Sequence, residues 1–295
     1  MADWIEKRFG AVREAWHATR RFRRSIVMFI DVRPSMRKRA GTADCDRMVS
    51  GERLVTAAAS MFLLAGRAVL KGLVGLAYPP RCVGCGDRVF DADSILCSPC
   101  FHGIDRASTS DIEARLTRLP QARAVLDIIV CLWIFDKGGA IQAVHQAMKY
   151  GNRPSYGVTL GRPAGAVYKQ ACLEANDVDL IVPIPLHRSR RYERGYNQSE
   201  MLARGVAEMV DAPISCDVLI RWRPTRRQTA LKRSSRWDNL QGAFHVRDPR
   251  LINGRHVLLI DDVLTTGSTA GAAAKVLRAA GARRVDLVTL AMART

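Results

Sequence analysis

Thirteen consecutive residues constrain this chain more than any others. Val257, Leu258, Leu259 and Ile260 form a short apolar run, and Asp261 and Asp262 follow it. Val263 and Leu264 then lead into Thr265, Thr266, Gly267, Ser268 and Thr269. Four apolar residues bounded in this way predict a strand buried on both faces, as in a parallel sheet. Residues 270–280 predict a helix after the loop. Strand, acidic pair, small hydroxylated loop and helix start outline a site for a phosphorylated sugar. Backbone N–H groups and hydroxyls of such a loop can turn toward an anion, and the helix dipole favours negative charge there. Carboxylates at the strand end are placed to accept hydrogen bonds from sugar hydroxyls.

Two other readings apply to the same string. One is a buried strand that ends in two acids before a capped helix. The other is a nucleotide hydrolase with a metal-binding Asp after an apolar strand. The second needs a G-x-x-x-x-G-K-[ST] loop, and the chain contains neither Gly-Lys-Ser nor Gly-Lys-Thr. The full order of the thirteen residues favours the phosphosugar reading.

The surrounding pattern agrees with a layered α/β architecture. Residues 126–135 predict a strand and 138–150 a helix, stopped by Gly151, Asn152, Arg153 and Pro154. Residues 180–185 read as a short strand ending in prolines, and 197–210 as a helix. A charged loop over 221–242 precedes the Val257 strand, and 284–292 supply a last strand. Strand and helix alternate, so a mostly parallel sheet is expected. Residues 104–124 are polar and mixed, and read as a linker helix.

Ahead of this domain, Cys82 and Cys85 form one C-x2-C pair and Cys97 and Cys100 a second, eleven residues on. Each pair turns two thiolates toward one point, and two such knuckles close a tetrahedral Zn2+ site. Gly86 supplies the permissive backbone that a knuckle needs. The alternatives are four reduced structural cysteines or two disulfides. Four thiolates leave no open coordination position, so the role expected of the metal is structural. The zinc-binding unit spans residues 79–103.

The chain holds 46 Lys and Arg against 28 Asp and Glu, a net charge of +18. Such an excess points to polyanionic partners or anionic substrates, not to a fold. Of the eight cysteines, four are clustered and four scattered, unlike a secreted disulfide scaffold. No signal-peptide pattern opens the sequence, and the expected setting is cytoplasmic. Residues 57–76 are the most apolar stretch but carry Arg67 and Lys71. An amphipathic helix over 51–78 is expected there, packed on the following domain or touching a membrane surface, and no transmembrane segment. Residues 1–50 read as a basic, disordered extension. A nucleic-acid tail and a true start at Met48 are the alternatives.

Two basic blocks flank the expected sheet edge. Arg188, Arg190, Arg191 and Arg194 lie in a loop after the 180–185 strand, just before Gly195, Tyr196, Asn197 and Gln198. Arginine suits multidentate phosphate recognition. A solvated basic loop is the plain alternative, but this one follows a strand at the edge where α/β sheets bind ligands. The second block holds seven basic residues from Arg221 to Arg236 and no acid, with Trp222 and Trp237 at its flanks. It reads either as a lid over a pyrophosphate or as a strip for single-stranded nucleic acid, bound by charge and stacking. Burial of both tryptophans is the alternative to stacking.

Taken in order, these blocks resemble the ComF family of competence-associated, type I phosphoribosyltransferase-like proteins. The resemblance runs from about Tyr78 to the carboxyl terminus. It includes the cysteine pairs, Met148-Lys149-Tyr150, the Pro-Ile-Pro strand, the 194–198 block, Thr225 with Gln228, Arg236 with Asn239, and the 257–269 string. It implies a type I phosphoribosyltransferase-like parallel sheet over 124–295, with helices on both faces, behind the zinc-binding unit. It also implies binding of 5-phosphoribosyl-1-pyrophosphate (PRPP) with Mg2+, and transfer of the phosphoribosyl group to a nitrogen acceptor. Asp261 and Asp262 would hold the ribose 2′- and 3′-hydroxyls. Thr265, Thr266, Gly267, Ser268 and Thr269 would hold the 5-phosphate. Arg188, Arg191 and Arg194 would face the pyrophosphate, with Arg194 among the catalytic residues, and Arg236 would bind substrate. The family's link to DNA uptake implies a second possibility, a non-catalytic protein that binds PRPP and single-stranded DNA beside competence-machinery proteins.

Overall fold

The computed structural model describes residues 79–89, 94–117, 120–172, 178–222 and 242–294. The 1–50 extension, the helix expected over 51–78, Arg236, Trp237 and most of the second basic block lie outside these residues. The described residues fall into two units, divided after Gly103.

In the first unit, the Cys82 N–H donates to Asp87 O at 2.7 Å and the Gly86 N–H to Cys82 O at 2.9 Å. Gly86 makes this turn at φ +82°, where a side chain would be strained. Helix α1, Ser98–His102, starts directly after Cys97 and carries Cys100. The Val83 N–H donates to Ile95 O at 3.0 Å and ties the two knuckles together.

The second unit is built on four strands: β1 Ile129–Phe135, β2 Leu180–Pro183, β5 His256–Leu264 and β6 Arg284–Ala293. They lie in the order β1-β6-β5-β2, and every pairing is parallel. Ile129, Cys131, Val182, Val257, Leu259, Val285 and Leu287 share one core with helix α8, Ser268–Ala279. Strand side chains alternate, so Val130, Leu258, Ile260 and Val288, also buried, face the other way. That face is covered by α5, Pro154–Ala171, and α7, Gln198–Val210. Helices therefore lie on both faces, as expected. A small antiparallel pair, β3 Leu219–Arg221 and β4 Phe244–Val246, flanks residues 223–241.

Two local readings need correction. Residues 104–124 are no linker: they hold α2, Thr109–Thr117, and α3, Pro120–Arg123, and bury Ala107, Ile112, Leu116 and Ala122 in the main core. The apolar residues are spaced along a mostly polar surface, which hides a one-sided helix. The basic block after β2 is not a loop but helix α6, Arg188–Arg194. His187 caps it by accepting from the Ser189 N–H, and Gly195 ends it at φ +75°. The preceding helix, α4, Ala140–Tyr150, ends before Gly151–Pro154 as expected, and Pro154 also starts a further helix, α5. Proline is tolerated in a first helical turn.

The amino edge of the sheet holds a buried polar cluster. Asp286, with no exposed surface, accepts from Tyr168 Oη at 2.6 Å, His256 Nε2 at 2.9 Å and Arg284 Nε at 3.1 Å. The Ile128 N–H donates to the same carboxylate at 3.1 Å. Burial opposes its ionisation, but these donors and the Arg284 charge hold it below the usual carboxylate range.

Candidate functional site

The opposite, carboxyl edge carries the chemistry. β5 runs four residues beyond Ile260, so Asp261 and Asp262 lie within the strand, at successive, alternating positions. The chain then turns through Thr265 and Thr266 to Gly267, which adopts φ +64° and caps α8. No side chain closes that cap, and the first turn of α8 holds no acid. The leading N–H groups of a twelve-residue helix are thus directed at the loop, with the positive end of its dipole. Thr266 Oγ1 and Ser268 Oγ lie 3.0 Å apart. Arg115 of α2 donates to the Thr265 carbonyl and braces the loop from behind.

The two carboxylates meet different surroundings. Asp261 Oδ1 accepts from Ser199 Oγ at 3.2 Å and from the Asp262 N–H at 2.9 Å. Burial, and then the Asp262 charge, push its carboxyl up to about 7. Asp262 accepts from His145 Nε2 at 2.9 Å and from the Val263 N–H at 2.7 Å, with Lys149 Nζ at 3.7 Å. Burial also opposes its ionisation, but the His145 hydrogen bond and the Lys149 charge outweigh it and hold the carboxyl well below the usual range.

The basic block does two kinds of work. Asn197 caps α7 by accepting from the Ser199 N–H at 3.2 Å, and donates to Ile184 O at 3.0 Å. Tyr196 Oη and Gln198 Nε2 both donate to Met148 O at the end of α4. These three residues are scaffold: they fix α4 and α7 to the sheet edge. Arg194 donates to Gln198 Oε1 at 3.0 Å and lies 5.9 Å from the Tyr150 ring centre. Arg191 lies 3.5 Å from Glu200, while Arg188 is exposed. Arg221 on β3 feels the Asp261 charge, and its burial lowers it from the usual guanidinium range.

Asp261, Asp262, Thr265, Thr266, Gly267, Ser268 and Thr269 are therefore contiguous at one sheet edge. Arg188, Arg191 and Arg194 stand on α6, after the neighbouring strand β2. His145, Ser199 and Arg115 also reach this site and were not singled out above, and Lys149 was noted only within the Met148-Lys149-Tyr150 resemblance. They come from elements far away in the chain, and the spacing of His145 and Lys149, four apart on a helix, was the one available signal.

In the first unit the four sulfurs of Cys82, Cys85, Cys97 and Cys100 lie within 4.8 Å of one another, and Cys85 and Cys97 are 3.6 Å apart. A tetrahedral ion with bonds of about 2.3 Å needs sulfurs about 3.8 Å apart, so the cluster can hold one metal ion. Burial opposes the Cys82 thiolate, but backbone hydrogen bonds to Cys97, Cys85 and Gly84 bring it down to about 6. Hydrogen bonding to Cys97, with burial, pushes Cys100 up to about 11.

Residues 197–295 match the phosphoribosyl transferase domain family. Competence protein F of Haemophilus influenzae is 34% identical over 39% of this chain and 51% of its own length. DNA utilization protein YhgH of Escherichia coli K12 is 36% identical over 37% of this chain and 47% of its own. Competence protein ComFC of Bacillus subtilis is 37% identical over 33% of this chain and 38% of its own. The chain is thus similar, over part of its length, to these competence and DNA utilization proteins, and residues 197–295 match the phosphoribosyl transferase domain family. The chain spans about half the length of the first two of these relatives. The domain match starts at Asn197, so it takes in Ser199, both carboxylates and the 265–269 loop but leaves out α4 and α6.

Proposed function

We propose that this chain binds PRPP with Mg2+ at the β5–α8 connection and transfers the phosphoribosyl group to a nitrogen acceptor. The observation that carries this reading is the acidic pair on β5 with the Gly267-capped, acid-free start of α8 directly behind it. The helix start and the hydroxyls of Thr265, Thr266, Ser268 and Thr269 receive the 5-phosphate, and the carboxylates receive the sugar. The donor set is all oxygen, which suits Mg2+ retained with its water and substrate oxygens. When bound, the ion supplies charge neutralisation on the pyrophosphate. The bond from ribose C1 to the pyrophosphate oxygen breaks, a C1–N bond forms, and the nitrogen releases a proton. Such a reaction depends on positioning and on charge stabilisation of the leaving group, and the α6 arginines, with Arg236, are the chain's means of providing it.

Calorimetry with PRPP and Mg2+ tests the reading. Saturable one-site binding is expected, lost in the double variant Asp261→Asn, Asp262→Asn with melting retained. Unchanged affinity in that variant would place the ligand elsewhere. Structural Zn2+ at the four cysteines, a cytoplasmic setting and competence-machinery partners belong to the same proposal.

A second reading, binding of single-stranded DNA, draws on three exposed aromatic residues among arginines. Tyr192 on α6 is 94% exposed, Trp222 after β3 74% and Tyr150 at the end of α4 68%. Aromatic faces beside cations are what single strands stack on.

A further inference from the structure

Helix α4 ends beside the acidic pair, and its end is fixed. Met148 O accepts from Tyr196 Oη and from Gln198 Nε2, at the turn into α7. His145 and Lys149 lie one turn apart on one face of α4. Their contacts to Asp262 differ in kind. His145 Nε2 makes a hydrogen bond with Oδ2 at 2.9 Å. Lys149 Nζ stands 3.7 Å from the same oxygen, too far for a hydrogen bond. Among the described residues no acceptor lies within hydrogen-bond reach of this ammonium. Its side chain is only 22% exposed. An ammonium with three N–H donors is thus held at the edge of the pair, mostly withdrawn from water, with its donors unspent.

The carboxylates supply half of what a sugar hydroxyl can bond to. A hydroxyl donates one hydrogen bond and accepts up to two. An ionised carboxylate only accepts, so it engages the O–H and leaves the oxygen's lone pairs unserved. The other donors at the pair are already committed. Ser199 Oγ and the Asp262 N–H are spent on Asp261 Oδ1, and His145 and the Val263 N–H on Asp262. Lys149 is the donor in reserve. The 3.7 Å between Nζ and Oδ2 suits a bridge, since a hydroxyl oxygen about 2.8 Å from each atom fits between them. Each oxygen of Asp262 holds one protein hydrogen bond and has capacity for a second, so both acids stay open to the sugar.

We propose that Lys149 is a further substrate-binding residue, whose ammonium donates to the ribose hydroxyl that Asp262 accepts from, so that this hydroxyl is held from both sides. This rests on the phosphoribosyl reading of the site. The consequence is selectivity: a sugar lacking that hydroxyl leaves a mostly buried cation and a carboxylate unbridged, which is costly. The charge has a second effect. Two carboxylates repel a ligand that carries phosphates, and a cation 3.7 Å from one of them offsets that repulsion. Lys149 lies outside residues 197–295, so α4 adds a sugar contact to those of the matched domain.

Calorimetry on the full chain tests this, with PRPP and Mg2+, ribose 5-phosphate, 2-deoxyribose 5-phosphate and 3-deoxyribose 5-phosphate as ligands. Lys149→Met keeps the side chain's length and removes its donors. It should weaken PRPP and ribose 5-phosphate by about tenfold or more, the loss of one charge-assisted hydrogen bond. One of the two deoxy sugars lacks the bridged hydroxyl. Lys149→Met should bind that one nearly as well as wild type does, and should lose affinity for the other as it does for ribose 5-phosphate. Lys149→Arg, which keeps charge and donors, should recover part of the loss. Equal losses for ribose 5-phosphate and both deoxy sugars would overturn the hydroxyl contact and make Lys149 a general attractor of phosphate. PRPP affinity unchanged in Lys149→Met would also overturn it. Melting at the wild-type temperature separates these outcomes from loss of fold. Should the Met variant melt low, Lys149→Gln makes the same comparison. Wild-type protein that binds none of these ligands would remove the phosphoribosyl reading itself, an outcome distinct from PRPP binding that ignores Lys149.

Discussion

Asp261 bears the less favourable environment of the two acids, and its own titration should show this. Its folded carboxyl titrates near 7, pushed up by burial and by the charge on Asp262. An acid whose folded pKa is raised binds its proton more tightly when folded than when unfolded. Stability is therefore undiminished below its unfolded value near 4 and falls as pH rises to about 7. Asp261→Asn, which removes the charge at constant size, should stabilise the protein at pH 8 by a few kcal/mol, and the gain should vanish by pH 4. Denaturant unfolding of both proteins at the two pH values checks this. A constant difference at both would mean that the carboxyl titrates normally. The same substitution should abolish PRPP binding, so the residue trades stability for a site, as functional acids do.

At the scale of elements, the α5–α7 interface decides where the sheet's second face can close. Gly157, Gly161 and Gly165 on α5 meet Gly205 and its neighbours on α7. A Cβ on Gly205 would stand 2.1 Å from Val158 O, and one on Gly161 2.2 Å from Leu202 O. Backbone lies on both sides, and nothing there can swing away. Gly→Ala inside a helix ordinarily gains up to about 1 kcal/mol, whereas Gly205→Ala should cost about 1–3 kcal/mol or more through overpacking, read as a lower melting temperature. The cysteine unit makes a second prediction at this scale. Purified protein should carry about one equivalent of Zn2+, and a strong chelator should loosen residues 79–103, because binding and folding are coupled there. Metal-free protein whose hydrogen exchange over those residues does not respond to added Zn2+ would contradict it. These elements also show what a sequence can disclose. The β5–α8 connection was legible because its residues are consecutive and its chemistry local. The cysteine pairs were legible for the same reason. Helix α5 was not, because Gly157, Gly161, Pro163 and Gly165 look like breakers until a partner helix explains three of them. His145 and Ser199 were not, because they reach the acids from elements tens of residues away. The 194–198 block was noticed for its arginine, but Tyr196, Asn197 and Gln198 turn out to hold helices in place.

At the scale of the whole molecule, the net charge of +18 sets a test between the two functional readings. If exposed Tyr192 and Trp222 receive bases, single-stranded DNA should bind at low salt, with log affinity falling by about 0.7 per phosphate neutralised for each decade of salt. Tyr192→Ala should weaken binding without altering that slope, since stacking carries about 1–3 kcal/mol and no charge. Replacing Arg188, Arg190 and Arg191 with Ala should flatten the slope by about two units if all three touch phosphate. Affinity unmoved by any of these would leave the DNA reading without support on this face. The strand order β1-β6-β5-β2 bears on how such a chain is made. The middle of the sheet is joined by β6, the last strand in sequence, and β1 pairs with no other strand of that sheet. During synthesis β1, β2 and β5 all emerge first; residues 105–107 can already bond one edge of β1, through Ala107 N–H to Leu132 O and Ile134 N–H to Asp105 O, but its other edge must wait for Arg284–Ala293. A nascent chain of this topology leaves that inner, apolar edge open to wrong partners until β6 follows, so its yield should respond to how quickly synthesis proceeds from β1 to β6 as well as to the stability of the finished fold.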